Sequence, residues 1–212
     1  MNISVFLTVL LLSIASGPAA DDGASAEDAA AYTAVLEART ADIMKPLALT
    51  DTNQAARVHS IILNHYRALN AWHRLNDQKL KSARGDSNAL AAIHASLKSL
   101  HDAFLSSLGE FLTPAQLDQV KDKMTYGKVQ FTLAGYLAQY PGLTDTNKME
   151  ILDLLKQARE EAMDGGSAAE KTAIFQRYKG RINNYLSRQG IHPARQKPAA
   201  GGAMTNAATE KQ

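Results

Sequence analysis

The most regular pattern of the chain lies in residues 87–112, which read SNALAAIHASLKSLHDAFLSSLGEFL. Large apolar residues recur there every three or four positions: Leu90, Ile93, Leu97, Leu100, Phe104, Leu108 and Phe111. This spacing puts them on one face of an α-helix. We therefore predict a long amphipathic helix, and because its apolar stripe is the longest in the chain, we expect it to be the central element of the fold.

The same periodicity predicts helices on both sides of this stretch. We expect them at residues 25–44, 50–84, 113–124, 145–163 and 167–190. Thr113, Thr144 and Ser167 stand where helix N-caps are expected, and Gly165-Gly166 separates the last two helices. No segment shows the sustained two-residue alternation of a β-strand. The prediction is an all-α, single-domain bundle of about six helices over residues 21–190.

Residues 123–142 differ from the rest because they combine aromatic residues with helix breakers. The aromatic residues are Tyr126, Phe131, Tyr136 and Tyr140, and the breakers are Gly127, Gly135 and Pro141-Gly142. We predict an irregular, aromatic-rich connection that contains one short helix near residues 132–139.

The two ends of the chain are predicted to lie outside the helical domain. Residues 4–15 form an apolar run that is too short to span a bilayer, and small residues follow it. This pattern is typical of a signal peptide over residues 1–20, cleaved near Ala19 or Ala20, and predicts a periplasmic or secreted protein without a membrane span after cleavage. Residues 191–212 lack periodicity and are predicted to be a disordered tail.

Composition excludes several classes of function. The 212 residues include 23 Lys and Arg, 21 Asp and Glu, and no Cys. A net charge of +2 gives no electrostatic footprint for nucleic acid, so we predict no nucleic-acid partner. Without Cys there can be no disulfide, thiol nucleophile or Cys-ligated metal.

The sequence contains no recognisable catalytic or metal-binding motif. No two of the six His residues are closer than six positions, whereas a paired-His metal site needs a spacing of three or four. Nucleophile elbows and phosphate-binding loops are also missing. We therefore predict a protein without metal, cofactor or catalytic activity, while a pair of carboxylates distant in sequence could still form a glycosidase site.

Three phrases carry a resemblance to a known family. They are IILNHYRALN at residues 61–70, KMTYG at 123–127 and YKGRINNYLS at 178–187. Together they resemble the bacterial domain-of-unknown-function family DUF3826 over about residues 26–190. The resemblance implies a signal peptide, a helical domain and a place among polysaccharide-degradation genes, and it implies no activity. Residues 112–116, LTPAQ, are more loosely similar to the Leu-Thr-x-x-Gln motif of exported helical chaperone and metal-stress proteins.

Two groups of residues are candidate ligand-binding surfaces. One is the polar side of the second helix, with Arg67, Asn70 and His73. The other combines the aromatic connection with the last helix and comprises Tyr126, Tyr136, Tyr140, Arg181 and Asn184. Aromatic faces beside planar polar side chains suit a carbohydrate, and Gly180 should allow a neighbouring element to approach. The alternatives are a solvated helix face for the first group and a small satellite core for the second.

These observations favour an exported, non-catalytic helical protein that binds a glycan fragment or an envelope partner in polysaccharide use. Two alternatives remain open from sequence alone. One is a periplasmic chaperone-like or stress protein, which requires a concave apolar surface. The other is an unrecognised glycan-processing enzyme, which requires convergent carboxylates in a cleft.

Overall fold

The computed structural model describes residues 26–194, so the predicted signal peptide and the tail beyond residue 194 lie outside it. These residues form seven α-helices: α1 (Ala26–Met44), α2 (Thr52–Ser82), α3 (Ser87–Gly109), α4 (Pro114–Met124), α5 (Lys128–Gln139), α6 (Asp145–Met163) and α7 (Ala168–Arg188). A short 3-10 helix, Lys45–Leu47, follows α1, and no strand occurs between residues 26 and 194. The all-α prediction is confirmed. None of the helices in this range is long and apolar enough to cross a membrane.

Local capping explains where several helices begin. Thr113 and Thr144 each form a capping box, in which the Thr hydroxyl accepts from the third helical N–H and that residue's side chain accepts from the Thr N–H. Ser167 caps α7 through a bond from the Glu170 N–H. α2 is capped by Asp51 rather than Thr50, because the Asp51 carboxylate accepts two N–H groups of the first turn.

The aromatic segment is more regular than predicted, because the short helix expected near residues 132–139 begins four positions earlier and brings the number of helices to seven. α5 spans Lys128–Gln139 and therefore fills most of residues 123–142. Gly127, at φ 63°, makes the sharp turn between α4 and α5. Gly135 lies inside α5, where a Cβ would meet nothing within 4 Å. It does not break the helix because one Gly costs only about 1 kcal/mol.

Two hydrophobic clusters hold the helices together. One lies among α5, α6 and α7 and includes Ile151, Leu155 and Ile182. The other lies among α1, α2, α3 and α4 and includes Val58, Leu108 and Val120. α6 contributes to both, because its last residue, Met163, is fully buried in the second cluster.

The prediction that residues 87–112 form the central helix is wrong. Within α3 only Phe104 and Leu108 are buried, and both lie in its C-terminal half. Leu90, Ile93, Leu97 and Leu100 are half-buried, and α3 as a whole packs mainly along α2. The apolar stripe exists, but most of it packs against one neighbouring helix, α2, instead of lying in a hydrophobic core. α6 occupies the central position.

Candidate functional site

A small cleft forms where α1, α2, the turn after α4 and the start of α7 meet. Its polar lining consists of Tyr32 and Arg39 from α1, Tyr66 and Asn70 from α2, Tyr126 from the turn, Ser167 just before α7, and Lys171 from α7. We call it the tyrosine cleft. Its volume of about 90 Å³ is well below that of sites for drug-sized ligands, and below the roughly 150 Å³ of a cavity that holds a benzene ring, so it admits one charged end group but not a whole sugar ring.

Tyr126 is held at the mouth of this cleft by an unusual backbone conformation. Its φ is +59°, in the left-handed region that bulky residues rarely adopt. The turn is closed by a hydrogen bond from the Gly127 N–H to the Asp122 carbonyl, at 2.8 Å. The Tyr126 side chain is 57% exposed, so burial does not repay this strain. Such strain is concentrated at functional sites, which makes Tyr126 a strong candidate for ligand contact.

The Tyr126 ring also borders a second, wider hollow on the surface. This hollow has a volume of about 450 Å³ and is lined by Asp42, Gln119 and Lys123 among others. Lys123 donates a 3.3 Å hydrogen bond to Asp42 across it. Because Tyr126 belongs to both linings, a ligand with its end in the tyrosine cleft could continue over this ring into the hollow.

The turn between α6 and α7 forms one wall of the cleft, and two glycines allow it to sit close to its neighbours. A Cβ on Gly166 would lie 2.9 Å from the His73 ring, and one on Gly165 would lie 3.1 Å from Cγ of Lys171. His73 holds this turn from behind by donating from Nε2 to the Asp164 carbonyl at 2.7 Å. The glycine pair is therefore needed for close packing as well as for ending a helix.

His73 has a hydrogen-bond partner at each ring nitrogen. Its Nδ1 lies 2.9 Å from an Asp77 carboxylate oxygen, so both ring nitrogens have acceptors. Burial alone would lower the pKa of His73, but the hydrogen bonds to Asp164 and Asp77 outweigh it and raise the pKa. His73 was predicted as a ligand-binding residue, and the structure places it behind the cleft wall.

Lys171 brings a buried positive charge to the cleft. Its side chain is only 6% exposed, and Nζ donates to the carbonyls of Ala162 and Met163 at 2.9 and 3.0 Å. These carbonyls belong to the C-terminal end of α6, where a cation is favoured. Burial lowers the pKa of Lys171 to about 8, so the ammonium group still predominates at neutral pH.

The Tyr66 hydroxyl remains a neutral hydrogen-bonding group. Burial raises the pKa of Tyr66 to about 12. The charge of Arg39 acts on Tyr66 and on Tyr32, which places the guanidinium near both rings. The cleft therefore combines aromatic surface, neutral hydroxyl groups and two cationic side chains.

A second group of charged residues lies in an open groove beside α3 and α6. His101 Nδ1 contacts the Asp164 carboxylate at 3.0 Å, and Nε2 lies 3.7 Å from Glu160. Lys121 donates to Glu160 at 2.8 Å. Burial would raise the pKa of Glu160, but the bonds from His101 and Lys121 outweigh it and lower the pKa to about 2. A carboxylate that stays ionised cannot serve as a general acid at neutral pH, so this groove is an ion-pair network between helices.

The structure separates the aromatic residues that we expected to share one cleft. Tyr136 is buried at 4% exposure, and its hydroxyl donates to Asn183 at 2.8 Å and to the Lys179 carbonyl at 3.1 Å. Tyr140 stacks on it with ring centroids 5.9 Å apart. Both belong to the core among α5, α6 and α7, which is the satellite-core alternative raised from sequence. Tyr126 lies apart from them, in the tyrosine cleft.

The remaining predicted site residues also fall into separate places. Arg181 stacks over the Tyr178 ring at 4.4 Å, and Asn184 is exposed further along α7. Gly180 is exposed, and a Cβ added there would meet no atom within 4 Å, so the expected close approach of another element is wrong. Arg67 is exposed near Asn64, and its charge acts on Tyr32 at the edge of the cleft. Of the predicted set, only Tyr126 and Asn70 line the tyrosine cleft.

Sequence reasoning missed Tyr32, Arg39, Tyr66 and Lys171. A partial signal existed, because Tyr32 and Arg39 are seven positions apart, and Tyr66 and Asn70 are four apart. Each pair therefore shares one face of its helix. That the two faces meet each other, and meet the start of α7, follows only from tertiary packing.

Within the described part of the chain, residues 26–194, no group of three or more His, Asp or Glu is placed so that it could hold a metal ion.

A comparison with curated proteins finds no match. Residues 33–198 match the model of a family described as "Protein of unknown function (DUF3826)". This match covers most of the chain, including every polar residue of the tyrosine cleft except Tyr32. The chain therefore belongs to the DUF3826 family.

Proposed function

We propose that this protein is exported and binds a glycan fragment in the tyrosine cleft, without catalysing a reaction. The observation that carries the proposal is the convergence of Tyr32, Tyr66 and Tyr126 with planar polar side chains. Sugar rings pack their C–H faces on aromatic rings while their hydroxyls bond to polar groups such as Asn70. The exposed, strained position of Tyr126 supports a role in ligand contact.

The shape of the surface supports an end-on mode of binding. The tyrosine cleft has room for one end group of a glycan, such as a carboxylate, and the wider hollow beyond Tyr126 has room for sugar rings. Export is supported by the apolar run at residues 4–15 and the small residues after it. It is tested by the intact mass of protein from the native host, where a retained Met1 would contradict cleavage.

Glycan binding is tested by a glycan array followed by thermal-shift measurements on the purified protein. A bound glycan should raise the melting temperature of the unmodified protein, and Tyr126→Ala should abolish this increase. Phe131→Ala is the matched control, because Phe131 is an aromatic residue at 83% exposure outside the cleft. Loss of binding in Phe131→Ala but not in Tyr126→Ala would contradict the tyrosine cleft as the site.

The two alternative functions have weaker support. The exposed large apolar residues of the described chain are distributed over α1, α2, the turn before α5, α5 and α6, whereas a chaperone-like cradle requires a continuous concave surface. A glycan-processing enzyme would use the carboxylates beside His101, and these are engaged in ion pairs. A binding function uses the features of the tyrosine cleft directly.

A further inference from the structure

The charged residues that line the tyrosine cleft are both positive. Arg39 and Lys171 line the cleft, whereas none of its lining residues between positions 26 and 194 is an Asp or a Glu. Two carboxylates act on Lys171 from outside this lining, and both are engaged, since Asp164 accepts from His101 and Glu170 accepts from the Gly166 N–H at 2.9 Å. A ligand group in the cleft therefore meets two cations without a competing anion on the wall.

Each cation retains hydrogen-bonding capacity. No ion pair or hydrogen bond of Arg39 is present within residues 26–194, although its charge acts on Tyr32, Tyr66 and Lys171. The Lys171 ammonium group has three N–H donors, and the Ala162 and Met163 carbonyls take two of them. An unpaired guanidinium beside a buried ammonium group is a strong attractor for an anion.

On this basis we infer that the tyrosine cleft selects glycans whose terminal residue is a uronate, with its carboxylate between Arg39 and Lys171. The inference rests on the proposed glycan-binding function and specifies the ligand. A uronate fits because its planar carboxylate can accept two parallel hydrogen bonds from a guanidinium. Its ring can stack on one aromatic side chain. The sugar ring would then stack on Tyr126, and the Tyr66 hydroxyl would donate a hydrogen bond to the ligand.

Matched pairs of ligands test this inference. Short oligomers of galacturonate, glucuronate and mannuronate are each compared with their own methyl esters by titration calorimetry on the purified protein. The ester keeps the sugar ring and removes the charge. At least one acid should bind about tenfold more tightly than its ester, which corresponds to about 1.4 kcal/mol. The difference should shrink in high salt.

Variants assign the preference to the cleft. Arg39→Gln should bring the affinities for acid and ester together, by weakening the acid more than the ester. Arg39 is exposed, so this substitution should not disturb folding. Arg181→Gln is the control, because it removes the same charge about 15 Å further along α7 than Lys171. An acid preference that survives Arg39→Gln would overturn the assignment.

The remaining outcomes separate this inference from the proposed function. If an ester or a neutral glycan binds as tightly as any acid, glycan binding stands and uronate selection is overturned. If no acid, ester or neutral glycan binds at all, the proposed function fails and this inference fails with it.

Discussion

Two groups of tyrosines in this protein have opposite roles in the structure. Tyr136 and Tyr140 are buried and stacked, and the Tyr136 hydroxyl is bonded to α7. Tyr126, only ten positions before Tyr136, is exposed in a left-handed conformation beside Tyr32 and Tyr66. Tyr126, Tyr136 and Tyr140 all occur in one Gly-containing, aromatic-rich segment. Local sequence character therefore does not distinguish a tyrosine that stabilises the core from one that is available to a ligand.

The difference arises from where each ring lies relative to the helices. Tyr136 and Tyr140 are four positions apart, at the end of α5 and just after it, so their rings lie on the same face and both enter the core beside α7. Tyr126 lies in the turn before α5, where no helical periodicity directs its side chain. Its direction is set by the turn geometry at Tyr126 and Gly127.

Truncating a core tyrosine and the exposed tyrosine to Ala should give the largest difference in the free energy of unfolding. Tyr136→Ala should reduce the free energy of unfolding by about 3–5 kcal/mol, because it removes a buried ring and leaves a cavity. Tyr126→Ala should change it by less than about 0.5 kcal/mol, since that ring is mostly exposed. Chemical denaturation of both variants measures the difference. Equal midpoints would mean that Tyr136 is not a core residue.

The pH dependence of stability should give a somewhat smaller difference, between the charged groove at His101 and the core that contains Tyr136. The bond to Asp164, followed by that to Glu160, raises the pKa of His101 to about 9 from 6.5. A raised pKa stabilises the folded state fully below pH 6.5, and this contribution is lost as the pH rises through 9. It amounts to about 2–3 kcal/mol.

Comparing His101→Gln with the unmodified protein isolates this contribution. Lys171 acts in the opposite sense, because its pKa is lowered to about 8 and stability therefore increases from there toward pH 10.5. The stability gap between His101→Gln and the unmodified protein should be widest below pH 6.5 and should narrow by pH 9. Tyr136→Phe, in the other region, should keep the pH dependence of the unmodified protein. A gap independent of pH would refute the His101 assignment.

Removing single hydroxyl groups should give a smaller contrast. Tyr136→Phe should lower the free energy of unfolding by about 1–2 kcal/mol, because the Asn183 and Lys179 oxygens lose their donor. Tyr32→Phe should be nearly neutral, since Tyr32 lies at a partly exposed position of the cleft. If Tyr136→Phe were also neutral in denaturation, water would be replacing the hydroxyl and the ring would be less enclosed than the structure has it.

The smallest expected effect is a gain in stability at Tyr126. Tyr126→Gly should raise the free energy of unfolding by about 0.5–1 kcal/mol, because Gly adopts the left-handed conformation without steric cost. Tyr126→Ala keeps that cost and should show no gain, which makes it the control. The same Tyr126→Gly variant should lose glycan-induced stabilisation. A stability no greater than that of Tyr126→Ala would mean that the left-handed turn stores no strain.

Local sequence signals predicted the ends of the helices better than the way in which the helices pack. Thr113, Thr144 and Ser167 were expected as N-caps and cap their helices, because a cap depends only on residues within one turn. α5 was underestimated because Gly127 and Gly135 were given equal weight, although only Gly127 adopts positive φ. The regular stripe of α3 suggested a central helix, but a stripe reveals that one face is covered without revealing how deeply.

The sequence by itself determined the helical class and most helix boundaries, since both follow from hydrogen bonds and side-chain spacing within a few residues of each other. Tertiary structure alone decided that α6 is central, that Tyr136 and Tyr140 are core residues, and that Tyr126 and Asn70 meet Arg39 and Lys171. The physical reason is distance along the chain. A cleft built from α1, α2, a turn and α7 depends on packing between helices, and no local periodicity specifies which faces come together.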